Sequence, residues 1–295
     1  MTASPLSLVD GSPWRLSMGL HRLDEREWLE VDDDRDAELR EKARLLEVAR
    51  ETVLVTLPAG EAPSRELLDL VVAYLVAEHD VLDTTGAAIV DRTTGTTIDP
   101  AHRHPIEAAS LLVQEDLCVL VRDDAWRLVA ACVCFPSRWS LRAKLGASLA
   151  EIHGPVPGFD DTLASPAATF FDRLSPTRPV WRRNWTLLDT PELHLPSPAA
   201  RRRATDAGDE DLGARLWFRV ERQTLRRLPS SDAIVFTIRT TVQPLGDVVA
   251  STPGFAPALG GTLATVAADV AAYKGWTGLL EPLSGWLADR AAEDD

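Results

Sequence analysis

An α+β fold, with a five-stranded antiparallel sheet roofed by helices and further helices at both ends, is what the sequence predicts. Three observations carry it. Two β-rich runs, residues 117–121 and 126–135, are separated by Arg122-Asp123-Asp124-Ala125, a hairpin signal. Two short helical patterns follow, and then three more strand-like runs at 180–188, 214–224 and 233–242. Both ends of the chain repeat apolar residues at the helical period of 3.6.

Composition bounds the class. The 295 residues suit one large domain or two modules, and 45% apolar with 26% charged residues is ordinary for a chain with a real core. The expected division is a mainly helical segment over 1–110, a core over 111–245 and a helical segment over 246–295. A net charge of −14 repels nucleic acid and anionic membrane surfaces, so neither is an expected partner. The first twenty residues lack the basic start and apolar stretch of a signal peptide, and no apolar run approaches the ~20 residues of a spanning helix. A cytoplasmic location is expected. Cys118, Cys132 and Cys134 fit neither a redox C-x-x-C pair nor a zinc ribbon, and read as core thiols.

Along the chain, residues 24–51 predict an acidic helix with Trp28, Leu39, Ala43, Leu46 and Val48 inward, and 65–77 a second helix on Leu67, Leu68, Val71, Val72 and Leu75. Residues 83–100 read mainly as loop around a short hairpin. After the first strand pair, Ser140 is a good cap for a helix over 141–152 that stops at Gly154-Pro155, with His153 at its edge. Ser165-Pro166 opens another helix carrying Phe170, Phe171 and Leu174. Residues 191–213, rich in Pro, Ala and charge, read as an exposed loop. Strand–strand–helices–strand–strand–strand is the connectivity of a PAS domain, whose helices roof one sheet face over a cofactor-sized cavity.

Chemistry concentrates in three places. His153 lies in Glu151-Ile152-His153-Gly154-Pro155-Val156-Pro157-Gly158. It either caps helix carbonyls or points Nε2 into the cavity as an axial metal ligand. In Arg219-Val220-Glu221-Arg222-Gln223-Thr224-Leu225-Arg226-Arg227, strand alternation puts Arg219, Glu221 and Gln223 on one face, facing solvent or lining a polar pocket. In Trp181-Arg182-Arg183-Asn184-Trp185, aromatics alternate with polar residues and can cover a planar ligand while Arg neutralises carboxylates. His102-x-His104 reads as surface loop, and His21, His79 and His194 have no partners in sequence. Walker, dinucleotide, nucleophile-elbow and H-E-x-x-H motifs do not occur.

The ordered strings Val113-Gln114-Glu115-Asp116-Leu117, Phe135-Pro136-Ser137-x-Trp139-Ser140, Lys144-Leu145-Gly146, Ile152-His153-x-Pro155-Val156-Pro157-Gly158, Phe171-x-x-Leu174, Arg178-Pro179-Val180-Trp181-Arg182-Arg183-Asn184-Trp185 and Arg219-x-Glu221-Arg222-Gln223-Thr224-Leu225-Arg226-Arg227-Leu228-Pro229 resemble the haem-dependent oxidative N-demethylase family over about residues 20–245. The resemblance implies a PAS-like haem b enzyme. Such an enzyme uses O2 to remove a methyl group from a small secondary amine such as dimethylamine, with electrons from flavin and iron–sulfur partners in trans. It implies His153 as axial iron ligand and Glu221 as the carboxylate that holds the alkylammonium. Arg182, Arg183, Arg222 and Arg226 are candidates for the haem propionates, and Trp185 for covering the ring. The alternative is a haem-binding PAS-type sensor, or a subunit of a larger oxidoreductase complex, without turnover.

Overall fold

The five expected strands are all present and sit side by side. The computed structural model describes residues 4–85, 88–197 and 211–293. Its strands are His21–Arg22 (β1), Leu54–Thr56 (β2), Leu82–Thr85 (β3), Ala88–Asp91 (β4), Thr97–Ile98 (β5), Asp116–Arg122 (β6), Trp126–Cys132 (β7), Val180–Leu188 (β8), Trp217–Arg227 (β9) and Ile234–Pro244 (β10). One antiparallel sheet runs β1-β8-β9-β10-β6-β7-β2. The sheet therefore has seven strands, not five. β1 pairs with Val180 and Trp181, and β2 with residues 130–132. Runs of two and three residues carry too little alternation to be read as strands. The stretch read mainly as loop forms a separate sheet, β3-β4-β5.

Register fixes what each face carries. Arg182 lies opposite Gln223, Asn184 opposite Glu221, and Val180 opposite Leu225. Side chains alternate along a strand, so these residues share one face, and Trp181, Arg183, Trp185, Arg222 and Arg226 share the other. The first face is roofed by Leu149–His153 (α5), Phe159–Thr162 (α6) and Ala164–Arg173 (α7). Phe171, Leu174, Leu149 and Ile152 there pack with Leu225, Val180 and Phe236. The roof starts later than expected: Gly146, at φ +76°, ends a 3-10 turn at Arg142–Lys144, and the cap of α5 is Ser148, not Ser140.

The opposite face is covered twice. At one end Leu23, Trp28 and Leu29 pack with helices Arg35–Val48 (α1), Glu61–Tyr74 (α3) and Pro105–Ser110 (α4), the short Arg50–Val53 (α2) lying between the first two. At the other, Leu245–Ser251 (α9), Phe255–Leu263 (α10), Ala268–Lys274 (α11) and Leu280–Glu293 (α12) pack on Trp185, Leu187 and Phe218, with Leu212–Arg215 (α8) before β9.

Helix α1 departs from its expected face. Val48 is 65% exposed, whereas Arg35, Glu38 and Lys42 are buried with Leu39, Leu45 and Leu46. Burial of these charges is tolerated because each is partnered: Arg35 by Asp91, Glu38 by Arg239 and Gln114, and Lys42 by the carbonyls of Ser110, Val113 and Glu115. Among the described residues no single helix is long and apolar enough to cross a membrane. Most of the expected loop at 191–213 falls outside the described residues.

Candidate functional site

His153 is placed by a short and heavily punctuated helix. Ser148 and Glu151 form a reciprocal capping box at the start of α5. Lys144 donates from Nζ to the Ile152 carbonyl at 2.7 Å near its end. Gly158, at φ +75°, turns the chain into α6, and Phe159 then stacks on the His153 ring at 4.5 Å between centroids. The imidazole Nδ1 lies 2.8 Å from the Leu149 carbonyl. A carbonyl only accepts, so Nδ1 carries the proton and Nε2 keeps its lone pair. Burial pushes the imidazole below its ordinary value, and the Lys144 and Arg182 charges push the same way. The ring is therefore neutral at pH 7. One ring nitrogen thus caps a helix carbonyl, and Nε2 has no partner among the described residues.

Opposite the roof, the sheet contributes charge. Arg182 stands close enough to depress the proton affinity of His153, and its own guanidinium Nε is buried with no hydrogen-bond partner. Glu221 is half-buried beside it. It accepts from Arg219 Nε at 3.3 Å and from Gln223 Nε2 at 3.1 Å. Arg219, fully buried, also reaches the Phe135 and Leu193 carbonyls.

Strand register places the remaining candidates on the other face of the sheet. Arg222 donates to the carbonyls of Glu27 and Trp28, Arg226 pairs with Glu25 and stacks on Trp28, and Arg183 stacks on Trp181. Trp185 stacks on Trp276. All four lie on the face away from His153, so a flat ligand under the roof reaches Arg182 but not these. Alternation already separates Arg182 from Arg183; it does not say which of them the roof covers.

One residue escaped notice in the sequence. Lys274, at the end of α11, donates from Nζ to the Trp185 carbonyl at 3.0 Å and sits 4.9–5.9 Å from the rings of Trp14, Trp185 and Trp276. It caps an edge carbonyl of β8, as Trp276 Nε1 does for Leu187. Burial pushes its ammonium down to about 8, against the pull of Glu221. No local motif marks a lysine that caps a carbonyl 89 residues away.

Three of the other histidines have structural duties. His104 caps α4 and faces Glu61, His79 meets the Leu29 carbonyl, and His194 meets the Cys134 carbonyl. The three cysteines are free and buried, as expected. Among the described residues no group of three or more His, Cys, Asp or Glu is arranged to hold a metal ion. A lone neutral imidazole is too small a donor set for a bare ion but is sufficient for haem iron, whose macrocycle supplies four ligands. The orphaned Nε of Arg182 suits a carboxylate-bearing ligand. The chemistry of these residues fits a haem. The family model described as haem-dependent oxidative N-demethylase, alpha subunit-like, matches residues 19–283. With nine-tenths of its length inside that match, this chain belongs to the haem-dependent oxidative N-demethylase alpha subunit-like family.

Proposed function

We propose that the protein is a haem b-dependent N-demethylase that oxidises a small methylated secondary amine with O2, drawing electrons from a separate reductase. The observation that supports this most is a neutral His153 with Nε2 unpartnered, under the roof and near Arg182, on the sheet face that also carries Glu221. Haem, when bound, supplies the O2-dependent oxidising chemistry. His153 holds the iron, and its hydrogen bond to Leu149 fixes the ring so that ligation costs little reorganisation. Glu221 holds the alkylammonium, because a carboxylate in a partly dry site binds a cation far better than a neutral amide does. The helical insertion between β7 and β8 supports the PAS-like reading of the five central strands.

A second reading has its own observation. Glu221 already has Arg219 and Gln223 as partners and Lys274 nearby, which is what a carboxylate needs if it never meets a substrate. The protein is then a haem-binding subunit or sensor without turnover.

Glu221→Gln separates the two. Haem stays bound in the variant, since His153 is untouched. If Glu221 anchors the amine, affinity for dimethylamine, read from the haem spectrum, falls by roughly 2–4 kcal/mol, about thirty- to a thousandfold. Equal dissociation constants within a factor of about three remove the anchor role and favour the second reading. His153→Ala shifts the Soret band or abolishes it; a wild-type protein that ignores added haem removes both readings.

A further inference from the structure

A cavity of about 530 Å³ opens at the end of the roof, within the range of small-ligand sites. Phe170, Leu174 and Val180 give it apolar walls, and Arg173 and Arg178 stand at its rim. We propose that this cavity seats the carboxylate edge of the haem and that Arg173 and Arg178 hold the two propionates. The inference rests on the reading of the chain as a haem protein and deepens it.

The cavity lies on the same, roofed side of the sheet as the candidate site. Val180 lies two residues before Arg182 on the same strand face, so the two side chains are neighbours under the roof. Phe170, Leu174 and Val180 belong to the same apolar cluster as Ile152, the residue before His153. Arg227, also on this face of β9, donates to the carbonyls of Phe171, Asp172 and Leu174 and holds the end of α7 against the sheet. His153, Arg182 and the cavity therefore share one side of the sheet.

Charge singles out the two arginines. The chain carries −14, and neighbouring guanidiniums are neutralised: Arg122 by Asp172, Arg127 by Asp124, Arg227 by Asp232. Arg173 and Arg178 are exposed, and neither side chain bonds to a described residue. Two unneutralised guanidiniums beside apolar walls match an amphipathic ligand with an apolar ring and two carboxylates on one edge. Guanidinium forks bind carboxylates bidentately. Arg183, Arg222 and Arg226 are engaged on the far face, which leaves Arg182, Arg173 and Arg178 on the roofed side.

The test is a spectroscopic titration of apoprotein with haem and with haem dimethyl ester, whose carboxylates are blocked. Wild type is expected to prefer haem to the ester by tenfold or more. Arg173→Gln/Arg178→Gln is expected to bind haem at least tenfold more weakly than wild type, to lose the preference over the ester, and to keep the wild-type Soret position because His153 is intact. Arg40→Gln/Arg65→Gln, the same change of charge on remote α1 and α3, leaves both affinities as in wild type. Far-UV circular dichroism verifies that the exposed double variant is folded. A double variant that still prefers haem to its ester as strongly as wild type does overturns the assignment while the haem reading stands. A wild type that binds neither compound overturns the haem reading itself, and this inference with it.

Discussion

At the scale of single residues, burial lowers the proton affinity of two nitrogen bases, for different ends. His153 gives one ring nitrogen to the Leu149 carbonyl and keeps the other open, and desolvation stops a proton from competing for it. Lys274 is different: its ammonium is boxed by three indoles and a carbonyl, so cation–π attraction offsets part of what water once supplied. The offset is incomplete, which is why its pKa falls to about 8. The sequence contains only Lys42, Lys144 and Lys274, so lysine ¹³Cε spectra hold few signals. The signal lost in Lys274→Arg should titrate with a midpoint near 8; a midpoint above 10 means the box is open to solvent.

At the scale of elements, the roof is built from pieces too short to be stable alone. Helix α5 has five residues, and isolated helices of that length do not persist in water. Its order comes from the Ser148–Glu151 capping box at one end and from Lys144 and Phe159 at the other. Ser148→Ala removes one half of the box. Thermal unfolding should show a loss of about 1 kcal/mol, a fall in Tm of roughly 2–4 °C. Haem affinity should fall along with it, because His153 is the last residue of the same turn. Loss of stability with unchanged haem affinity would mean that Gly158 and the Phe159 stack position the histidine without the cap.

At the scale of the whole molecule, the N-terminal helices are joined to the sheet through buried charge. Arg239 on β10 pairs with Asp32 and Glu38, Gln114 bridges the same two carboxylates, and Glu115 accepts from the Glu30 amide at 2.8 Å. Glu115 is fully buried, and desolvation lifts its pKa from 4.5 to about 7. In that window the folded state keeps a proton that the unfolded chain has released, so stability falls as pH rises from about 4.5 to 7. The shift corresponds to roughly 3 kcal/mol once both states are ionised. Glu115→Gln keeps an acceptor for Glu30 and removes the charge. Its Tm should exceed that of wild type above pH 7 and converge with it near pH 4.5. A constant offset across that range would show that the substitution acts through packing instead.

What the sequence determined by itself was whatever neighbouring residues encode. Runs rich in β-forming residues located all five central strands, Val180–Leu188 to the residue, and a Gly-Pro stop put His153 at the end of a helix. Three cysteines at unsuitable spacings were rightly read as core thiols. Only the tertiary structure decided what depends on partners far away in the chain. β1 and β2 exist because longer strands offer them an edge, and α1 buries Arg35, Glu38 and Lys42 because Asp91, Arg239 and buried carbonyls meet them. A strand pattern says that Arg182 and Arg183 point in opposite directions, but it is symmetric between the two faces. Which arginine lies under the roof was settled by where the helices between β7 and β8 pack, and that depends on residues of the whole sheet at once.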